Sequence, residues 1–206
     1  MTEKDARTRL IEAALPLFAA KGFAAVSFKE ISEAAGVNSA LINYYFKSKD
    51  GLYEAVIDEQ FQKFQTLFLE PDWFKQEPVE RISQFLINFT RLHRTNPYIR
   101  RLLTSELNHP SPFLDSFVKK YLSKFSNFLI QSIEEGMAKG QFRDDLNPTY
   151  TAAILVGMVN YYFVAEQMAK KFLAKAPFED EQDSFGHQAV KICLEGILRP
   201  GSQKNS

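Results

Sequence analysis

The stretch from Ser27 to Phe46 constrains this chain most. Ser27-Phe28-Lys29-Glu30 sets a hydroxyl and a carboxylate three residues apart, the capping box that opens a helix. That helix runs to about Ala35, Gly36 supplies a tight turn, and Asn38 or Ser39 caps a second short helix through Phe46. Upstream, Leu10, Ala13, Ala14, Leu17 and Phe18 recur at i, i+3, i+4, i+7 and i+8, the apolar stripe of a first helix closed by Gly22 after Lys21. Pro16 removes a hydrogen bond from that helix, at about 3 kcal/mol in a helix interior, and predicts a kink. Two short helices joined by a glycine turn and braced by a third describe a helix-turn-helix.

Downstream the same punctuation continues. Ser48 caps a longer helix over Lys49–Leu69, which ends before Pro71. X-Pro pairs then mark helix starts: Glu77-Pro78 to about His93, Asn96-Pro97 to about Leu107, Ser111-Pro112 to Lys139 before Gly140, and Asn147-Pro148 to about Leu173. A last helix spans about Glu181 to Leu198, before Pro200. Strand signals are almost absent. The expected fold is all-α with about nine helices: a three-helix helix-turn-helix head over residues 1–48, and a larger helical body over 49–206, joined by the Lys49–Leu69 helix.

Composition limits the alternatives. Hydrophobic residues make up 45% of 206, with 19 Phe and 8 Tyr, enough for a substantial core and unlike a disordered chain. Lys and Arg (25) balance Asp and Glu (25), so any polyanion-binding surface must be local. Cys193 alone cannot form an intramolecular disulfide and suits a reducing compartment. The charged N-terminus lacks the apolar core of a signal peptide, and Tyr150–Ala165 is too short to span a bilayer. The chain reads as a cytoplasmic protein without a membrane partner.

Within the head, Ile31, Ala34, Ala35, Val37, Ile42 and Phe46 are expected to pack inward. The other side of the second short helix carries Ser39, Ala40, Asn43 and Tyr44, groups suited to base edges: Asn pairs bidentately with adenine, and Ala or an aromatic edge meets a thymine methyl. Lys29, Tyr45, Lys47 and Lys49 lie where phosphates would pass, and the Ser27 hydroxyl could cap and still donate outward. Residues 1–52 hold seven Lys and Arg against six Asp and Glu, so the basicity is slight. Glu12, Glu30 and Glu33 are expected to lie away from the groove side, so the contact face can still be basic.

The run from Arg9 to Tyr53 resembles the DNA-binding head of the tetracycline-repressor (TetR) family. The matching residues are Ala13-Ala14, Leu17-Phe18-Ala19, Lys21-Gly22-Phe23, Ser27, Ile31, Ala34-Ala35-Gly36-Val37, Tyr45-Phe46-Lys47-Ser48-Lys49 and Leu52-Tyr53. The resemblance implies a homodimer, usually a repressor released by a small molecule, whose second short helix enters the major groove. By position it makes Lys29, Ser39, Ala40, Leu41, Asn43 and Tyr44 base-side candidates, and matches Ser27, Tyr45 and Lys49 to phosphate contacts. Asn43 stands where the family usually has Tyr, and Leu41 where a small or hydroxylated residue is frequent. Ile42-Asn43-Tyr44, and more weakly Glu106–Leu114 with Pro110-Ser111-Pro112, resemble one branch of the family.

The Pro148–Leu173 segment is apolar around nearly its whole circumference, so it is expected to be covered on two sides, one by a second subunit. Gly157 on it, and Phe185, Ala189, Ile192, Cys193, Gly196 and Ile197 on the last helix, are the expected dimer interface. Phe113, Phe117, Tyr121, Phe125 and Phe128 form an aromatic stripe that is either core or, in part, the wall of an apolar effector cavity. Phe117, Tyr121 and Phe125, with the polar His93, Arg101, Asn127, Asn160 and Tyr161, are the candidate pocket residues.

Other chemistry finds little footing. His93, His109, His187 and Cys193 lack metal-ligand spacing, and no phosphate loop, Ser-His-Asp set or paired catalytic carboxylates can be assembled. No cofactor, metal or enzymatic activity is expected. The sequence points to a regulator of transcription that binds a near-palindromic operator and is released by a small apolar or aromatic effector. Two alternatives stay open: a DNA-binding regulator without a ligand, and a helical small-molecule-binding protein or enzyme with a vestigial head.

Overall fold

The computed structural model describes residues 5–68, 71–172 and 184–199. The chain divides into two compact units, one of residues 1–65 and 96–119, the other of 66–95 and 120–206.

The first unit begins with α1 (Ala6–Ala25), capped by Asp5, whose Oδ1 accepts from Thr8 N at 2.7 Å. Leu10, Ile11, Ala14, Phe18 and Ala19 are buried, while Ala13 and Leu17 are half-buried. The expected kink at Pro16 does not occur. Helical dihedrals continue through it, and the break falls at Gly22, whose φ of 76° and ψ of 166° suit glycine. α2 (Phe28–Ala35) carries both halves of its capping box and ends on Gly36 in the left-handed region. There the Gly36 N–H reaches Glu33 O and the Val37 N–H reaches Ser32 O, satisfying the last carbonyls. Ile31, Ser32 and Ala35 are buried, but Ala34 is exposed, contrary to expectation.

α3 (Ala40–Phe46) is capped by Asn38, whose Oδ1 accepts from Ala40 N at 2.8 Å, while Ser39 makes no side-chain cap. α4 (Lys49–Phe68) starts under Ser48, which accepts from Gly51 N. A Cβ at Gly51 would lie 2.2 Å from the Phe46 carbonyl oxygen, so only glycine lets α4 begin this close to the end of α3. Leu69, the expected last residue of α4, lies outside the described residues. α6 (Pro97–Asn108) is capped by Asn96 and packs on α1.

The expected continuous helix from Pro112 to Lys139 is broken. Ser111 Oγ accepts from Phe113 N, holding the start in a turn, and α7 spans only Leu114–Phe117. A π-helical turn follows over Val118–Leu122, and α8 covers Ser123–Ala138. A π turn shifts a helix's phase by one residue. Phe117 before it, Tyr121 within it, and Phe125 and Phe128 after it are all buried.

The second unit opens with a 3-10 turn, Pro71–Lys75, and α5 (Pro78–Thr95). α5 packs on α8, α9 (Pro148–Phe172) and α10 (Ser184–Ile197). Ile82, Phe85, Leu86, Phe128, Leu129, Ile133, Leu155 and Val159 form its core, each worth roughly 1.5–3 kcal/mol on removal from water. Arg81 is buried there and fully used: it reaches Glu135 at 2.5 Å and the carbonyls of Phe74 and Gln76. The Phe142 ring fills the space above Gly136, and Phe142 and Leu198 form an isolated β-bridge that ties the end of α10 to the α8–α9 connection. Glu181 and Leu173, expected helix ends, lie outside the described residues, and none of the described helices is long and apolar enough to cross a membrane.

Candidate nucleic-acid interface

α3 divides cleanly between its two sides. Ile42 and Phe46 are buried, which leaves Ala40, Asn43 and Tyr44 exposed, Tyr44 by 77%. Leu41 is half-buried, and Ser39 is exposed just before the helix. The expected base-side set is therefore displayed on one short helix whose opposite side anchors it. Tyr44 and Tyr45 meet edge-on at 5.0 Å, which limits how either ring can turn. Lys29, on α2, is exposed and pairs with Glu33 one turn on at 3.9 Å, so Glu33 shares its surface and does not point away from it.

The phosphate-side candidates fare differently. Tyr45 and Lys47 are exposed beside α3. Ser27 Oγ accepts from Glu30 N and donates its proton to Glu30 Oε2 at 2.8 Å, so its donor is spent within the cap. Glu30 also takes Lys21 Nζ at 2.6 Å and Ser27 N at 2.9 Å. The lysine hydrogen bond first, then the two from Ser27, hold its carboxyl down at about 2. Lys49 points its ammonium at the Val26 carbonyl (3.1 Å) and towards that of Ala24 (3.4 Å), and over the Phe23 ring at 4.5 Å. It closes the end of α1 rather than standing free beside the reading helix.

Behind this surface lies a node that sequence reasoning missed. Tyr53 on α4, Glu106 on α6 and Ser111 after it are all buried. The Tyr53 hydroxyl donates to one Glu106 oxygen, and Ser111 N (3.1 Å) and Oγ (3.0 Å) donate to the other. Burial, then the bond to Glu106, pushes the Tyr53 phenol far up. The rings of Phe18, Phe23 and Phe113 pack around Tyr53 at 4.8, 5.0 and 6.1 Å. The spacing of 53 residues between Tyr53 and Glu106 gives no local signal.

Of the candidate pocket residues, His93 is buried, stacked on Phe163 at 5.1 Å with Phe89 edge-on at 4.7 Å. Tyr121 and Phe125 are buried in the same unit, and Phe117 in the other. Asn160 is half-buried. Arg101, Asn127 and Tyr161 are exposed, Tyr161 by 73%, so they do not line an enclosed site within their own units.

The expected dimer residues also separate. Ala189, Cys193 and Ile197 are buried in the chain's own core, and burial raises the Cys193 thiol. Ile192, Gly157 and Gly196 are exposed, and a Cβ at either glycine would meet nothing within 4 Å. The Phe185 side chain lies outside the described residues. Tyr150, Ile154 and Val164 join Gly157 and Tyr161 as exposed positions at spacings of three and four along α9. The apolar excess of α9 was legible, but not which residues face outward.

Comparison with known proteins agrees with this organisation. Residues 10–56 match the model for bacterial regulatory proteins of the tetR family. Residues 75–164 match the tetracyclin repressor-like C-terminal domain. YttP of Bacillus subtilis, named a probable HTH-type transcriptional regulator, is 24% identical over 197 residues, 95% of each chain. The HTH-type transcriptional repressor NicS of Pseudomonas putida is 25% identical, over 82% of this chain and 80% of its own. The crystal structure of AibR in complex with isovaleryl coenzyme A and operator DNA shares the fold. Its TM-score is 0.71 at 19% identity, over 94% of this chain and 98% of that one. With both halves matched and the reading helix presented as described, the chain belongs to the tetR family of bacterial regulatory proteins, helix-turn-helix regulators that act on transcription by binding DNA.

Proposed function

We propose that the chain is a cytoplasmic repressor acting as a homodimer, with residues 1–48 as its reading head and 49–206 as its effector and dimerisation body. The observation that carries this reading is α3, anchored by Ile42 and Phe46 while Ala40, Asn43 and Tyr44 stand exposed. A helix so held offers its outer side to base edges in the major groove. Asn43 donates and accepts at one adenine, and Tyr44 and Ala40 contribute apolar contact.

Dimerisation is supported by the exposed stripe Tyr150, Ile154, Gly157, Tyr161 and Val164 on α9, with Ile192 and Gly196 on α10. Contiguous apolar surface of this kind is costly in water and marks an interface, and the open glycines allow helices to approach closely. A two-fold axis through it sets two heads on half-sites about 34 Å apart. An apolar or aromatic effector, held in the body near His93, Tyr121 and Phe125, favours the state that misses successive grooves. AibR, of the same fold, is seen with both isovaleryl coenzyme A and operator DNA, which supports an effector-binding body on a DNA-binding head, and NicS, a repressor, supports the repressor reading.

The test is binding to DNA upstream of the protein's own gene and to a genome-wide selected pool. Wild type is expected to select a near-palindromic site, and Asn43→Ala to relax discrimination at one base pair by about 1–3 kcal/mol. Wild type that prefers no sequence over random duplex would defeat the reading.

A further inference from the structure

Two adjacent apolar residues meet opposite fates where the helix after Pro112 is broken. Val118 is 39% exposed, while Phe117 is buried, its ring edge-on to Phe61 of α4 at 4.7 Å. The π turn over Val118–Leu122 is what turns Phe117 inward. The buried face of α8 is set by Phe125, Phe128, Leu129, Ser132, Ile133 and Gly136. Carried back from there at about 100° per residue, an unbroken α-helix would bring Val118 to the middle of that face, with Leu114 close by. Phe117 would then stand roughly 90° off, at its edge.

The sequence therefore fills the inward face in either register: Phe117 with the π turn, Val118 and Leu114 without it. Lys119 and Lys120 are exposed here and fall on the outer side of an unbroken helix too, so neither register buries their charge. Two terms oppose each other: the larger ring that the π turn buries, and the regular ladder that an α-helix restores. Already the Val118 N–H is shared between the carbonyls of Leu114 and Asp115. The near end is pinned, because Ser111 donates twice to Glu106. The chain passes from the first unit to the second between Lys119 and Lys120, inside the π turn.

We infer that residues 114–122 form a two-register element that decides whether α4 is held: the π register presses Phe117 on Phe61, and the α register withdraws it. The inference deepens the proposed effector release and rests on α3 as the reading helix. With Phe117 in place, α4 is braced from the side and the aim of the reading helix is kept. An effector that favours the α register frees α4 by its preference for that state. The two packings are discrete, since side chains on a packed face exchange by whole residues and not by degrees.

The experiment uses the full chain, methyl-labelled at valine and leucine, as wild type, as Val118→Lys and with Lys119 deleted. Both changes hold Phe117 inward. Val118→Lys makes the slip bury a charge, and the deletion lets an ordinary helix present Phe117. In wild type the Val118 and Leu114 methyls are expected to show relaxation dispersion, since helix register shifts run in microseconds to milliseconds. Adding the duplex selected by the wild type is expected to quench it, and Leu114 is expected to show none in either variant. A fourth chain, Phe117→Val with Val118→Phe, moves the ring to the position that the α register buries. It is expected to bind the full selected site several-fold more weakly, yet a duplex with one half-site as tightly as wild type, because lost aim affects paired heads only. Flat dispersion at both methyls in wild type would overturn the inference, and so would dispersion at Leu114 that persists once Lys119 is gone. Equal weakening on the full and single sites would overturn the link to α4, by showing damage to the head. Wild type without sequence preference would sink the reading role of α3 separately, because the dispersion is first measured on the free chain.

Discussion

The Tyr53 hydroxyl donates to the carboxylate of Glu106, joining α4 to α6 inside the first unit. With Ser111 giving two further hydrogen bonds, both oxygens of Glu106 act as acceptors. Tyr53→Phe removes that donor from a buried carboxyl oxygen of Glu106. The expected loss is about 1–3 kcal/mol of unfolding free energy, read from urea melts. A Tyr53→Phe variant as stable as wild type would show that the bond contributes nothing net.

Lys49 is expected to act on stability more than on DNA. Its ammonium faces the Val26 carbonyl and the Phe23 ring, so Lys49→Ala opens the end of α1. A charged hydrogen bond and a cation–π contact together suggest a loss of about 1–3 kcal/mol. The salt slope of DNA binding should stay at the wild-type value. A shallower slope with unchanged stability would return Lys49 to the phosphate side.

Acid should loosen the start of α2. The Glu30 carboxyl is held down at about 2 by Lys21 and by Ser27, below its ordinary 4.5. A depressed carboxylate contributes stability that is complete above the ordinary value and is lost as pH falls through the folded one. The capping contribution should therefore fade from about pH 4.5 to 2, and Glu30→Gln should remove that part of the acid dependence. Both can be followed by amide exchange at Glu30 N and Ile31 N. Identical acid limbs for wild type and variant would refute the link.

The exposed stripe of α9 predicts the oligomeric state. Ile154 is 67% exposed within the single chain, so Ile154→Glu costs the isolated subunit little. It should yield a folded monomer in sedimentation, with weakened operator binding because paired half-sites need paired heads. A stable Ile154→Glu dimer would place the interface elsewhere.

What the sequence conveyed depended on distance along the chain. The capping box at Ser27, the turn at Gly36 and the X-Pro starts of α5, α6 and α9 are local chemistry, and they located the head and most helices. The π turn at Val118–Leu122 and the Phe142–Leu198 bridge depend on packing partners far away in sequence, so no local pattern announced them. Lys49 shows the same limit at the site: its position fits a phosphate contact, yet carbonyls 23 and 25 residues earlier take its ammonium. On α10 the spacing of Ala189, Cys193 and Ile197 correctly gave an apolar stripe. Spacing alone could not say whether that stripe serves its own core or another subunit.

The tight start of α4 also has a mechanical meaning. Because Gly51 rests against the Phe46 carbonyl with no room for even a methyl group, α3 cannot pitch independently of the first turn of α4. A swing of α4 is therefore expected to carry the reading helix with it. A motion of α4 is thus delivered to the operator as a change of aim, with little lost to slack in the joint.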